Sequence, residues 1–293
     1  MSIEQALVWY GLEHAPDVEA PRAIGTAIDH LSAWWGTRVV AEITKATVSA
    51  YRRHRESTGR GRGLRKDEPS AGVSPATVDR ELVVLRAAVN WAHENGRLTT
   101  PLKLETGPQR PSRDRWLTVS EAARLLWQSR QSPAHIQLFT ALALYTGARH
   151  AAIVDLTWDQ VDLQAGTIRY LPVGRTQTAK QRPTVPIPRP LLRLLKKARN
   201  TAKNPYVITW RNKPVESCRT GFRTLVTRAG LAGVTPHVLR HTAGTWMAQR
   251  GVDTWQISGF LGHSEARTTA LYKHHSPNFL GQARAAMEGR RRR

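Results

Sequence analysis

The chain has 293 residues, of which 44 are Lys or Arg and 22 Asp or Glu, a formal net charge of +22 at pH 7. That length suits two domains at roughly 100–200 residues each, and a hydrophobic share of 40% is enough for ordinary buried cores. The charge argues against an enzyme of small metabolites, because such an excess repels itself and attracts polyanions.

Nucleic acid is the expected polyanion, since every phosphate neutralised by a Lys or Arg releases a condensed counterion. An anionic membrane surface is the rival, but no apolar run approaches the ~18 residues of a spanning helix. The start, Met1 to Gln5, lacks the basic and apolar regions of a signal peptide. Cys218 is the only cysteine, so neither a disulfide framework nor a cysteine zinc cluster is expected. These features point to a cytoplasmic, nucleoid-associated protein with no membrane partner.

Residues 3–105 read as mostly helical. Ile24, Ile28, Leu31 and Trp35 recur at helical spacing and the stretch stops at Gly36. A second helix runs from a Thr44 cap through Val48 and Tyr51 to Arg55. The glycine-rich basic run between Ser57 and Gly72 reads as a loop. Ser74-Pro75 then opens a long helix by cap and first-turn proline logic, with Val78, Leu82, Leu85, Val89 and Ala92 on its apolar face and Asn95-Gly96 at its end. Residues 106–115 have linker composition. Beyond them, Thr118 to Trp127 and Pro133 to Tyr145 read as helices, Thr167 to Pro188 as a β-hairpin, and Val207 to Trp210 as a further strand. Helices return after Glu216, and the tail Arg290 to Arg293 is a basic arm.

Three short motifs carry chemistry. In Thr146-Gly147-Ala148-Arg149, a glycine ending an apolar helix permits the turn that leaves Arg149 at a helix start, where a guanidinium can fork onto two phosphate oxygens. Alone, so short a motif reads first as an arginine capping a turn. In Thr235-Pro236-His237-Val238-Leu239-Arg240-His241, a capping threonine and a proline open a helix, so His237 and Arg240 share one face of its first turn. The free amides and dipole there favour an anion, although a solvated His–Arg pair would also satisfy the pattern. In Leu261-Gly262-His263-Ser264, a tight turn places an imidazole at a joint between helices, with Tyr272 nine residues on in the next short helix.

Taken in order, Thr-Gly-x-Arg, His-x-x-Arg, Leu-Gly-His and Tyr resemble the catalytic signature of the tyrosine recombinases, the phage integrase family. Leu31-Ser32-Ala33-Trp34-Trp35-Gly36 and Thr77-Val78-Asp79-Arg80-Glu81-Leu82 resemble that family's core-binding domain. The resemblance implies a mainly α (α+β) fold: a helical core-binding domain over 1–105, a linker over 106–115, a catalytic domain with a small β-hairpin or sheet over 116–289, and a basic tail over 290–293. The two domains would form a C-shaped clamp on double-stranded DNA. Four protomers would act on paired sites, two active at a time, with an accessory directionality factor as a further partner.

It implies equally a site-specific recombinase of integration or excision. Tyr272 would attack a phosphodiester to give a 3′-phosphotyrosine and a free 5′-hydroxyl. Arg149 and Arg240 would clamp the nonbridging oxygens, and His237 and His263 would add hydrogen bonds, with His237 as general base. The covalent bond stores the phosphodiester energy, so neither a metal nor a nucleotide cofactor is expected. The general acid would be a lysine of the β-hairpin. Lys180 is the hairpin's only lysine, although counting back from Val185-Pro186 puts the family's usual position nearer Gln177 or Thr178. A second departure is Ala152, where many relatives carry glutamate, which leaves Asp155 or Asp159 to orient the first arginine. Two competing readings are a type IB topoisomerase-like relaxation of DNA, and a DNA-binding protein without catalysis. The first is separated by recombinant product, the second by a covalent adduct.

Overall fold

A computed structural model describes residues 1–18, 21–58, 72–105, 115–172, 174–176, 181–263 and 272. The chain separates into two compact units, Met1–Pro111 and Ser112–Arg293.

In the first unit α1 (Ile3–Trp9) runs into a π-helical turn, Tyr10–His14, and α2 (Pro21–Trp35), α3 (Lys45–Thr58) and α4 (Pro75–Glu94) follow. Gly36 closes α2 with a φ of 42°, a left-handed conformation cheap only for glycine. Thr44 accepts the Thr47 amide at the start of α3. The Ser74 hydroxyl accepts the Thr77 amide ahead of α4. All five residues expected on the apolar face of α4 are fully buried, packed with Leu7, Leu31, Trp35 and Tyr51. Each of the buried valines and leucines contributes about 1.5–3 kcal/mol by leaving water. The core also encloses charge: Arg55 makes a paired hydrogen bond to the Glu81 carboxylate at 3.0 and 2.7 Å, and the Tyr51 hydroxyl donates to it at 2.6 Å.

The second unit is organised around α6 (Ala134–Thr146), apolar on every side and therefore central rather than amphipathic. Packed on it are α5 (Val119–Ser129), α7 (His150–Val154), α8 (Arg189–Asn200), α9 (Arg219–Arg228) and α10 (Pro236–Gln249); α11 (Thr254–Leu261) packs on α10. Thr118 and Glu121 form a reciprocal capping box at the start of α5.

The expected hairpin is present as β2 (Thr167–Arg169) against β3 (Thr184–Pro186), with Ile168 opposite Val185. It is extended by β1 (Val161–Asp162), a strand the sequence reading did not anticipate. The strand expected over 207–210 is the shorter β4 (Thr209–Trp210), paired with β5 (Lys213–Pro214). Among the described residues no helix is long and apolar enough to cross a membrane. The glycine-rich run over 59–71, the linker over 106–114, Lys180 and the arginine tail lie outside the described residues.

Candidate active site

Three turns separated by many residues interlock here. Gly147 ends α6 with a φ of 61°, which turns the chain so that Arg149 becomes the first, extended residue before α7. A side chain at Gly147 would meet Leu261 Cδ2 at 2.5 Å, and one at Gly262 would meet the Gln181 carbonyl oxygen at 2.7 Å. Both glycines are thus required twice, for backbone conformation and for close approach. Thr146 fixes the same turn to the sheet, its hydroxyl 2.8 Å from the buried Tyr170 hydroxyl.

The two arginines are held by main-chain carbonyls. Arg240 Nη1 donates to the Gly147 carbonyl at 2.8 Å, while its buried Nη2 has no partner among the described residues. Arg149 donates to the carbonyls of Gln181 at 2.8 Å and Gly262 at 3.2 Å. Neither candidate carboxylate performs the orienting role left open by Ala152, which is itself buried in the core. Asp155 instead pairs with Arg182 at 2.8 Å, and Asp159 is exposed. Carbonyls orient a guanidinium without neutralising it.

Arg149, His237 and Arg240 border one cavity of about 270 Å³, together with Ala148, His150 and Arg219, and none of its described lining residues is acidic. Arg240 lies buried, Arg149 is half-buried and His237 sits on the open rim. Dehydration, and after it the positive charge of Arg149, brings the Arg240 pKa down to about 10. Dehydration and the cations Arg240 and Arg149 likewise lower His237. Such an arrangement is costly while empty and is relieved by an anion.

His263 and Tyr272 are both buried, and their rings lie stacked at 6.0 Å. Burial, then Arg240 and Arg149, holds His263 down to about 4. Burial raises the Tyr272 phenol, opposed by Arg240. The helix expected around Tyr272 falls outside the described residues.

Sequence reasoning missed three neighbours. His241 brings its ring to 5.2 Å from Tyr272; lying four residues after His237, it was legible as sharing that helical face. Gly244 seats the tyrosine, since a Cβ there would lie 2.5 Å from Tyr272 Cζ. Arg219 reaches the cavity from α9, and nothing in its local sequence signals that.

The Arg149 and Arg240 guanidiniums, with no acidic partner among the described residues, could hold an anion such as a phosphodiester beside neutral imidazoles and a buried phenol. Residues 115–278 match the model of the phage integrase family, and the chain belongs to that family. It is 32% identical over 174 residues to the tyrosine recombinase XerA of Pyrococcus furiosus, covering 57% of this chain and 59% of that relative's length. With the integrase of Escherichia phage 186 it shares 28% identity over 273 residues, 88% of this chain and 72% of the phage protein. A lambda integrase tetramer bound to a Holliday junction has the same fold, with a TM-score of 0.71 at 17% identity, covering 93% of this chain and 77% of that one. The mainly helical architecture with small antiparallel sheets is therefore that of the tyrosine recombinases.

Proposed function

We propose that this chain is a site-specific DNA recombinase that breaks and rejoins duplex DNA through a phosphotyrosine bond, in integration or excision. The carrying observation is the shared cavity of Arg149, His237 and Arg240, with Tyr272 stacked on His263 close by.

The scissile phosphate occupies the cavity, its two nonbridging oxygens taken by Arg149 and Arg240. Arg240 Nη2, without a partner among the described residues, is the donor in waiting, and no described carboxylate competes for it. His237, neutral and with a lone pair available, accepts the Tyr272 proton. The arriving phosphate raises the proton affinity of His237 by offsetting the nearby arginines. Tyr272 Oη then bonds to phosphorus as the 5′-oxygen departs, giving a 3′-phosphotyrosine. Lys180 supplies the proton that turns the departing oxygen into a 5′-hydroxyl. His263, with one N–H as a neutral imidazole, donates to the phosphate. A 5′-hydroxyl from a partner strand reverses the steps and completes exchange.

Residues 1–105 act as a core-binding domain and 116–289 as the catalytic domain, joined by 106–115. The basic tail 290–293 adds phosphate contacts. By analogy with the lambda integrase tetramer on a Holliday junction, four protomers assemble on paired sites, and an accessory factor sets direction. The protein works in the cytoplasm, on the nucleoid.

The test is trapping on a nicked suicide duplex carrying the site found among inverted repeats beside the gene. The unmutated protein should form a covalent adduct and, with intact partner DNA, recombinant product. Tyr272→Phe should bind the duplex normally and form neither. Relaxed plasmid without recombinant product would favour the topoisomerase reading; an adduct from the Phe variant would move the nucleophile elsewhere.

A further inference from the structure

Between Asp162 and Glu216 the chain has no acidic residue and twelve lysines and arginines. Much of that charge lies on α8. Leu191 and Leu195 form its buried face, while Arg189, Arg193, Lys196, Lys197 and Arg199 are all exposed. At the end of α8 a cavity of about 480 Å³ opens between this helix, β4 and the start of α6, with His135, Trp158, Lys197, Lys203, Asn204 and Tyr206 in its walls. None of its described lining residues is acidic. The ring nitrogens His135 Nδ1 and Trp158 Nε1 have no hydrogen-bond partner among the described residues, a state uncommon for buried polar atoms.

Beside the cavity stands Trp210, 46% exposed. Its ring lies 4.9 Å from that of His135, and the Arg211 guanidinium sits 5.7 Å above it. The β4–β5 turn is built from Arg211 and Asn212, with φ of 50° and 60°. Two consecutive left-handed residues make a tight hairpin turn that favours Asn-Gly. An arginine in the first place carries a steric cost, and strain of this kind clusters at binding and catalytic sites.

This face is separate from the catalytic cavity. His135 lies near the start of α6 and Gly147 follows its last residue; at about 1.5 Å per residue the two lie close to 20 Å apart.

We propose that this face is a second nucleic-acid surface that takes an unpaired, single-stranded segment. Bases stack on Trp210 and Tyr206, one of them entering the cavity, and phosphates meet Lys197, Lys203 and the outward arginines of α8. Exposed rings interleaved with cations are how proteins hold single strands without reading sequence. A duplex keeps its base faces stacked internally and would engage only the cations. An acidic peptide would satisfy the lysines but offers no planar faces to match the rings. The proposal rests on this cavity with the ring and cations beside it, and is independent of the strand-exchange chemistry.

The test uses the full-length protein and a 5-bromodeoxyuridine-containing oligothymidylate, photo-cross-linked in the presence of excess unlabelled duplex and mapped by mass spectrometry. Cross-links are expected within residues 206–213 and should survive the duplex. Trp210→Ala should weaken oligothymidylate binding by about tenfold, within the range for losing one stacked base, and Trp210→Phe should restore most of it. Duplex binding should be unchanged in both variants, which also shows that they fold. Cross-links confined to other segments, complete displacement by duplex, or a Trp210→Ala variant that binds like the unmutated protein would each overturn the proposal. So would displacement of the oligonucleotide by polyglutamate but not by unlabelled oligothymidylate, which would assign the surface to an acidic protein.

Discussion

The imidazole of His263 and the phenol of Tyr272 lie almost parallel, 8° between planes and 6.0 Å between centroids. Held down to about 4 by burial and two arginines, the imidazole is uncharged beside the phenol at neutral pH. An unfolded histidine takes up its proton near 6.5. Between about pH 6.5 and 4 the unfolded chain therefore binds more protons at this position, and folding stability falls as pH drops through that window. The loss of urea resistance from pH 7 to pH 5 should be smaller in His263→Asn than in the unmutated protein. Equal losses would show that His263 titrates normally when folded.

In the proposed mechanism Arg149 and Arg240 supply the positive charge that stabilises the phosphate. Replacing Arg149 or Arg240 by alanine should slow formation of the covalent adduct by about 100-fold or more, the size expected for removing one oxyanion donor. Adduct formation should proceed at an undiminished rate in EDTA and without nucleotide. Activity abolished by chelation and restored by magnesium would refute this account of the charge.

Lys180 is assigned the proton for the departing 5′-oxygen, because an alkoxide leaves poorly near neutral pH. Sulfur in place of that bridging oxygen leaves as a thiolate and needs no proton. Lys180→Ala should therefore cleave ordinary DNA very slowly and the sulfur-substituted DNA nearly as fast as the unmutated protein. Without rescue by sulfur, another group is the acid, and His263 is the next to test.

In the first unit, Glu81 holds both Arg55 and Tyr51 in a buried network. Removing one partner of such a pair leaves an uncompensated charge, at a cost of about 3–5 kcal/mol. Glu81→Ala should lower the denaturation midpoint of this unit, followed by tryptophan fluorescence. The double variant Arg55→Met with Glu81→Leu should recover most of the loss, because an apolar pair of similar volume avoids the desolvation cost. A double variant as unstable as Glu81→Ala would show that the charges themselves are required.

Much of this was legible in the sequence wherever local chemistry decides structure. The Ser74-Pro75 and Thr235-Pro236 openings, the glycines that end α2 and α6, and the β2–β3 hairpin all follow from capping, backbone freedom and alternation. The sequence reading missed α8, although Leu191 and Leu195 stand at helical spacing among basic residues and Pro190 falls in its first turn. It also missed β1, since two residues carry no period. At the site, the motifs located the arginines and histidines but not what orients them. Acidic residues nearby in sequence were the natural candidates, whereas the partners are carbonyls of Gly147, Gln181 and Gly262. A carbonyl is present at every residue, so no residue type announces its use.

That choice of partner decides what kind of change the site tolerates. A carboxylate can be lost by one base change, but a carbonyl survives every substitution that leaves the chain's path intact. Gln181 can thus drift to most other residues while its oxygen still receives Arg149. Deleting a single residue between β2 and β3, or giving Gly262 a side chain, would withdraw that oxygen although no charged group had been touched. The arginines of this protein are guarded by the length of its loops, so variation should accumulate there as exchanges of residue type and rarely as gaps.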